Sequence, residues 1–93
     1  MRFEWDPSKD LANQKKHHVS FATAQAVFQD PLHKSILDRV VEGEERWLTI
    51  GEVGGAVLLV VAHTFRGDAD EETIRIISAR KATRRERRDY ESG

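Results

Sequence analysis

A chain of 93 residues, 39% hydrophobic and 33% charged, has enough apolar material for one compact domain spanning 1–93, and too little for two. It has no cysteine, which excludes disulfides and thiolate metal sites and fits a cytoplasmic setting, and its longest apolar run, "AVLLVVA" at 56–62, falls far short of the roughly 20 residues of a membrane-spanning helix. The net charge of −1 excludes a global pull toward nucleic acid, so any such binding must come from cations concentrated locally.

The opening "MRFEWDPSKD" carries charges where a secretion signal would be apolar, and its "FEW" at 3–5 alternates like a short strand. Asp6-Pro7 then starts a helix, with Asp as N-cap and Pro at the first position. That helix runs to about His17, with Leu11 and Ala12 as its main inward residues. Ser20 starts a second helix, where Val19 staples onto Ala24, and Phe21, Ala24, Val27 and Phe28 recur at helical spacing. Asp30-Pro31 ends it.

From Ser35 the pattern is extended, in four strands at about 35–41, 46–52, 56–66 and 72–78. The links "EGE" at 42–44, "GEVGG" at 51–55 and "GDADE" at 67–71 are short, which favours antiparallel pairing. Thr83 and Glu86 form a capping box for a last helix to about Tyr90. The predicted order is β-α-α-β-β-β-β-α, an α+β fold.

The last strand leads into Arg80, Lys81, Arg84, Arg85, Arg87 and Arg88. Arg85 with Asp89 and Arg87 with Glu91 are spaced to pair across one helical turn. Arg84 and Arg88 repel, and Arg84 and Arg85 occupy a first turn whose dipole prefers acids, at a cost of about a few tenths of a kcal/mol each. A sequence that keeps cations there is suited either to a solvated face or to an anionic partner. Simple alternation puts Ile74, Ile76 and Ser78 on one face of the strand and Arg75, Ile77 and Ala79 on the other. Arg75 then points away from a helix-covered face, while Arg80 lies at the bend into the last helix, as a phosphate ligand, a carbonyl cap or half of a salt bridge.

His63 ends the most hydrophobic strand, as a packed histidine or a proton carrier. Glu45-Arg46 opens the preceding strand. His17, His18, His33 and His63 match no metal-binding spacing, and "GEVGG" lacks the lysine and helix of a phosphate loop. Trp47 is expected in the core, while Trp5 and Tyr90 have the chemistry to stack on a base.

Taken together, "FEWDPSKDLANQKKHHVSFATAQAVFQDP", "GEERWLTIG", "VVAHTFRGD" and "IRIISARKATRRERRDY" closely resemble the BrnT family, toxins of type II toxin-antitoxin modules. "RIISARKA" followed by Glu and Tyr is the most specific part. The family often has glycine where this chain has His18, a position suited to a left-handed helix cap. The resemblance implies a RelE-like antiparallel sheet flanked by helices and a ribonuclease that cuts RNA without a metal or other cofactor. It also implies a BrnA-type antitoxin, through which alone operator DNA is contacted.

Metal-free RNA cleavage needs a base for the 2′-OH, an acid for the leaving oxygen and fixed positive charge on the phosphorane. On this resemblance Arg80 and Arg46 are the clamps, helped by Arg66 and Arg75, since arginine stays charged and binds phosphate bidentately. Glu45 or His63 is the base. Tyr90 assists positioning, and Lys9, Lys16, Lys81 and Arg84 contact the RNA backbone. The competing expectation is a basic module that docks an acidic protein or nucleic acid and does no chemistry.

Overall fold

The computed structural model describes residues 1–68 and 70–93; residue 69, in the polar 67–71 connection, lies outside them. The chain runs β1 (Arg2–Glu4), α1 (Pro7–His17), α2 (Phe21–Ala24), a 3-10 segment (Gln25–Gln29), β2 (Lys34–Val41), β3 (Glu44–Val53), β4 (Val57–Arg66), β5 (Thr73–Lys81) and α3 (Arg84–Glu91). The strands form one sheet in the order β1-β5-β4-β3-β2. β2 to β5 form an antiparallel meander, as their short links require. β1 departs from the expected all-antiparallel sheet: it pairs with β5 in parallel, Phe3 beside Ile74 and Glu4 beside Arg75.

The three helix starts are the residues whose side chains satisfy free N–H groups. Asp6 accepts from the Ser8 N–H at 2.9 Å and Ser20 from that of Thr23 at 3.1 Å. Thr83 and Glu86 cap each other, with Glu86 N donating to Thr83 Oγ1 at 3.2 Å and Thr83 N to Glu86 Oε1 at 2.9 Å. The second helix is a single α turn that tightens into the 3-10 segment. That segment lies so close to β3 that a Cβ on Gly51 would come within 2.8 Å of Val27, and only glycine fits there.

One face of the sheet packs under α1, α2 and the 3-10 segment. Phe21, Ala24 and Val27 meet Leu59, Val61, Ile74, Ile76 and Ala79, all buried. Each large side chain sealed there contributes about 1.5–3 kcal/mol. Contrary to the sequence expectation, Leu11 points outward at 62% exposure and the buried residue of α1 is Asn13. Its side-chain amide donates to the carbonyls of Ala79 (2.9 Å) and Val19 (2.8 Å) and accepts from the Ala79 N–H (3.1 Å). The helix is therefore docked on the edge of β5 by hydrogen bonds rather than by an apolar stripe. That pairing helps the strand run on to Lys81, past its expected end at 78, so Arg80 belongs to the strand and not to a bend.

β2 forms the far edge and leaves Ile36, Leu37 and Val40 exposed. A register shift between Leu37 and Arg39, next to Asp38, interrupts this edge, a device that discourages pairing with other chains. No helix among the described residues is long and apolar enough to cross a membrane.

Candidate active site

The second sheet face gathers the arginines, through a bulge. Thr64 pairs with Arg75 and His63 with Ile76, but Ala62 pairs with Ser78, so Ile77 is an extra residue on β5. Parity is reset there. Ala79 returns to the core beside Val61, and Arg80 pairs with Val60 on the face of Arg75. Uninterrupted alternation would have put Ser78 with the core residues and Ala79 with Arg75; the bulge reverses both. Thr64 and Val60 are four residues apart, so Arg75 and Arg80 stand about 13 Å apart along that face.

Arg46, one residue before the Trp47 that pairs with His63, lies on this same face. A chain of charges crosses it. Arg75 Nη1 is 3.7 Å and Arg66 Nη1 3.9 Å from Glu4 Oε1, Arg66 Nη2 is 3.2 Å from Glu44 Oε2, and Arg46 Nε is 3.8 Å from Glu44 Oε1. Exposed pairs of this kind add little to stability, so the array is not accounted for by folding alone. Beneath it, the buried Thr64 Oγ1 and Arg46 Nε make no hydrogen bond among the described residues, an uncommon condition for buried polar atoms. Glu4 and Glu44 were missed from sequence, although strand parity pointed to both: Glu4 alternates with the inward Phe3, and Glu44 stands two residues before Arg46.

Arg80 is held differently. Its Nη1 and Nη2 donate to Glu86 Oε1 and Oε2 at 2.7 and 2.9 Å, and Nη1 also reaches the Lys81 carbonyl at 3.4 Å. The bidentate pair holds the Glu86 carboxyl down at about 2 and raises Arg80 above its ordinary value. Glu86 belongs to α3, which crosses this end of the face above a cavity of about 180 Å³ floored by Ile36, Leu48, Ile50 and Val60. Polar ties hold the helix over it. The Tyr90 hydroxyl donates to Asp30 Oδ2 at 2.5 Å, and Lys34 Nζ to the Asp89 carbonyl at 3.0 Å. Arg87 lies 4.0 Å from Glu91 as spaced, whereas Arg85 and Asp89 form no ion pair among the described residues.

The two residues expected as general base do not join the arginines. His63 is 0% exposed on the helix-covered face, its Nε2 2.6 Å from Thr49 Oγ1 and its ring between Phe28 and Phe65. Burial pushes it down to about 4, so it is neutral at physiological pH. Glu45 pairs with Val40 and, by alternation, points away from Arg46. Lys9 and Lys16 line an open groove of about 230 Å³ with His17, Ile77 and Ser78, where α1 meets the β5 bulge. Lys81 and Arg84 are exposed at the end of β5 and the start of α3. Lys9, Lys16, Lys81 and Arg84 form no ion pairs among the described residues. The described residues contain no group of three His, Asp or Glu side chains placed to share a metal ion.

A mixed sheet with a face of arginines and carboxylates is an arrangement suited to a phosphodiester, and comparison with known proteins places the chain among toxins of type II toxin-antitoxin systems. Residues 5–86 match the family described as "Ribonuclease toxin, BrnT, of type II toxin-antitoxin system". The chain belongs to the BrnT family. The crystal structure of the Brucella abortus ribonuclease toxin BrnT is similar to it, with a TM-score of 0.71 and 26% sequence identity over 90% of this chain and 99% of that one. No match was found among curated proteins.

Proposed function

We propose that the chain is a metal-independent endoribonuclease of RelE-like fold that cuts RNA on the open sheet face, arrests translation in the cytoplasm and is silenced by a BrnA-type antitoxin. The observation that carries this is the gathering of Arg46, Arg66, Arg75 and Arg80 on one face in a ribonuclease-toxin family. Guanidiniums held in place on one sheet face stabilise a dianionic phosphorane with little reorganisation as it forms. Glu4 and Glu44, each in contact with the arginines, are better placed than Glu45 or His63 to take the 2′-OH proton, because the first two share the face and the last is sealed. Lys9, Lys16, Lys81 and Arg84 provide backbone contacts outside the centre. Tyr90 positions α3 through Asp30. The antitoxin covers the basic face, and operator DNA is reached only through it.

The test is cleavage of labelled RNA in excess EDTA by antitoxin-free protein, wild type beside Arg75→Ala and Arg80→Ala, with circular dichroism to confirm folding. Cutting by wild type that is lost in the folded variants supports the reading. If wild type binds RNA or an acidic protein but leaves RNA intact, the protein is a binding module instead.

A further inference from the structure

A guanidinium has two edges able to grip an anion with paired hydrogen bonds: the end formed by Nη1 and Nη2, and the side formed by Nε and Nη2. In Arg80 the end is taken by Glu86, and the second Nη1 hydrogen leans toward the Lys81 carbonyl. The Nε side makes no hydrogen bond among the described residues, and the side chain is 37% exposed. An unsupported arginine would sample many rotamers, and immobilising it on binding costs affinity.

We propose that Glu86 is the positioning residue of the ribonuclease site, gripping the end of Arg80 so that its free Nε/Nη2 edge is presented to a substrate phosphodiester. This rests on the ribonuclease reading above. One carboxylate then has two tasks, because Glu86 Oε1 also accepts from the Thr83 N–H. The same residue starts α3 and orients the guanidinium, so the placement of Arg80 depends on α3 being seated.

A purely structural pair would simply pin α3 to β5, and the two roles separate experimentally. Glutamine serves as well as glutamate at this position of a capping box, so Glu86→Gln keeps the helix start while removing the charged grip. The expected result is an unchanged circular dichroism spectrum, with kcat lowered roughly tenfold or more and KM raised by the lost preorganisation. The exchanged pair Arg80→Glu with Glu86→Arg restores an ion pair between α3 and β5, though not the Thr83 cap, and does not restore cleavage. Wild-type kcat in Glu86→Gln, beside an inactive but folded Arg80→Ala, overturns the positioning role and leaves the site intact. Cleavage recovered by the exchanged pair overturns it too, as the pair then acts only as a pin. If Arg80→Ala itself cuts at the wild-type rate, Arg80 is not in the site and the positioning role falls while the ribonuclease reading stands; wild type that leaves RNA intact overturns both.

Discussion

Asn13 and Ala79 exchange two hydrogen bonds across the edge of β5, at 2.9 and 3.1 Å, as a neighbouring strand would. β1 ends its pairing at Arg75, and this single amide takes over the edge beyond it. Truncating it strands a buried N–H and two buried carbonyls. Asn13→Ala is expected to lower unfolding stability by about 3 kcal/mol, read from the urea midpoint, with β5 amides beyond Ser78 exchanging fastest.

His63 links stability to pH. Its folded value of about 4 lies below the ordinary 6.5, so between these values the unfolded chain takes up a proton that the folded chain refuses. Stability is therefore unaffected by this group above 6.5 and falls as pH drops toward 4, by about 3 kcal/mol in all. His63→Gln, whose amide still reaches Thr49, is expected to lose that part of the slope. The difference between the two urea-unfolding profiles is the measurement.

Tyr90 is the one tyrosine in the chain, so phenolate absorbance reports it alone. Its hydrogen bond to Asp30, reinforced by the charge of that carboxylate, pushes it up to about 12 from 10.0. Alkaline titration is expected to show a late phenolate transition. Asp30→Asn brings it back toward 10.0, since the carboxylate that disfavours the second negative charge is gone.

His18 occupies the left-handed region at φ 60°, its N–H donating to the Gln14 carbonyl at 2.9 Å. The cap geometry that glycine favours is thus kept with a side chain that strains it. His18→Gly is expected to raise stability by about 1 kcal/mol or less, and a fall in the melting temperature would count against the strain.

Lys9 and Lys16 test how far the proposed RNA surface reaches. If each neutralises one phosphate, changing either to alanine reduces the salt dependence of RNA binding by about 0.7 in the log-log slope, with no change in sequence preference. An unchanged slope places the RNA elsewhere.

Local chemistry made much of the fold legible. Asp6-Pro7, Ser20 and the Thr83/Glu86 box announce helix starts, because a cap is decided within four residues, and the glycine-rich links announce the meander. What was not legible depends on distant partners. Nothing near Asn13 says that Ala79, far along the chain, needs its amide, and nothing around Ile77 says that β4 will skip it. The site followed the same division only in part. Arg46, Arg66 and Arg75 were readable as candidates from type and strand position, while the expectation of Glu45 and His63 beside them overlooked alternation within a strand, which turns Glu45 away from Arg46 and His63 away from Arg66. The same alternation puts Glu44 with Arg46, and only the pairing of Glu4 with Arg75 needed the register across the sheet.

The extra residue at Ile77 bears on how such a gene can change. Deleting its codon would let β5 pair residue for residue with β4, and Ser78, Ala79 and Arg80 would still stand opposite Ala62, Val61 and Val60, with Arg80 still on the face of Arg75. The deletion would instead flatten the strand where Ile77 and Ser78 line the groove shared with Lys9 and Lys16. The extra residue therefore shapes that groove rather than the arginine face, and homologous toxins can lose it without turning a guanidinium into the core.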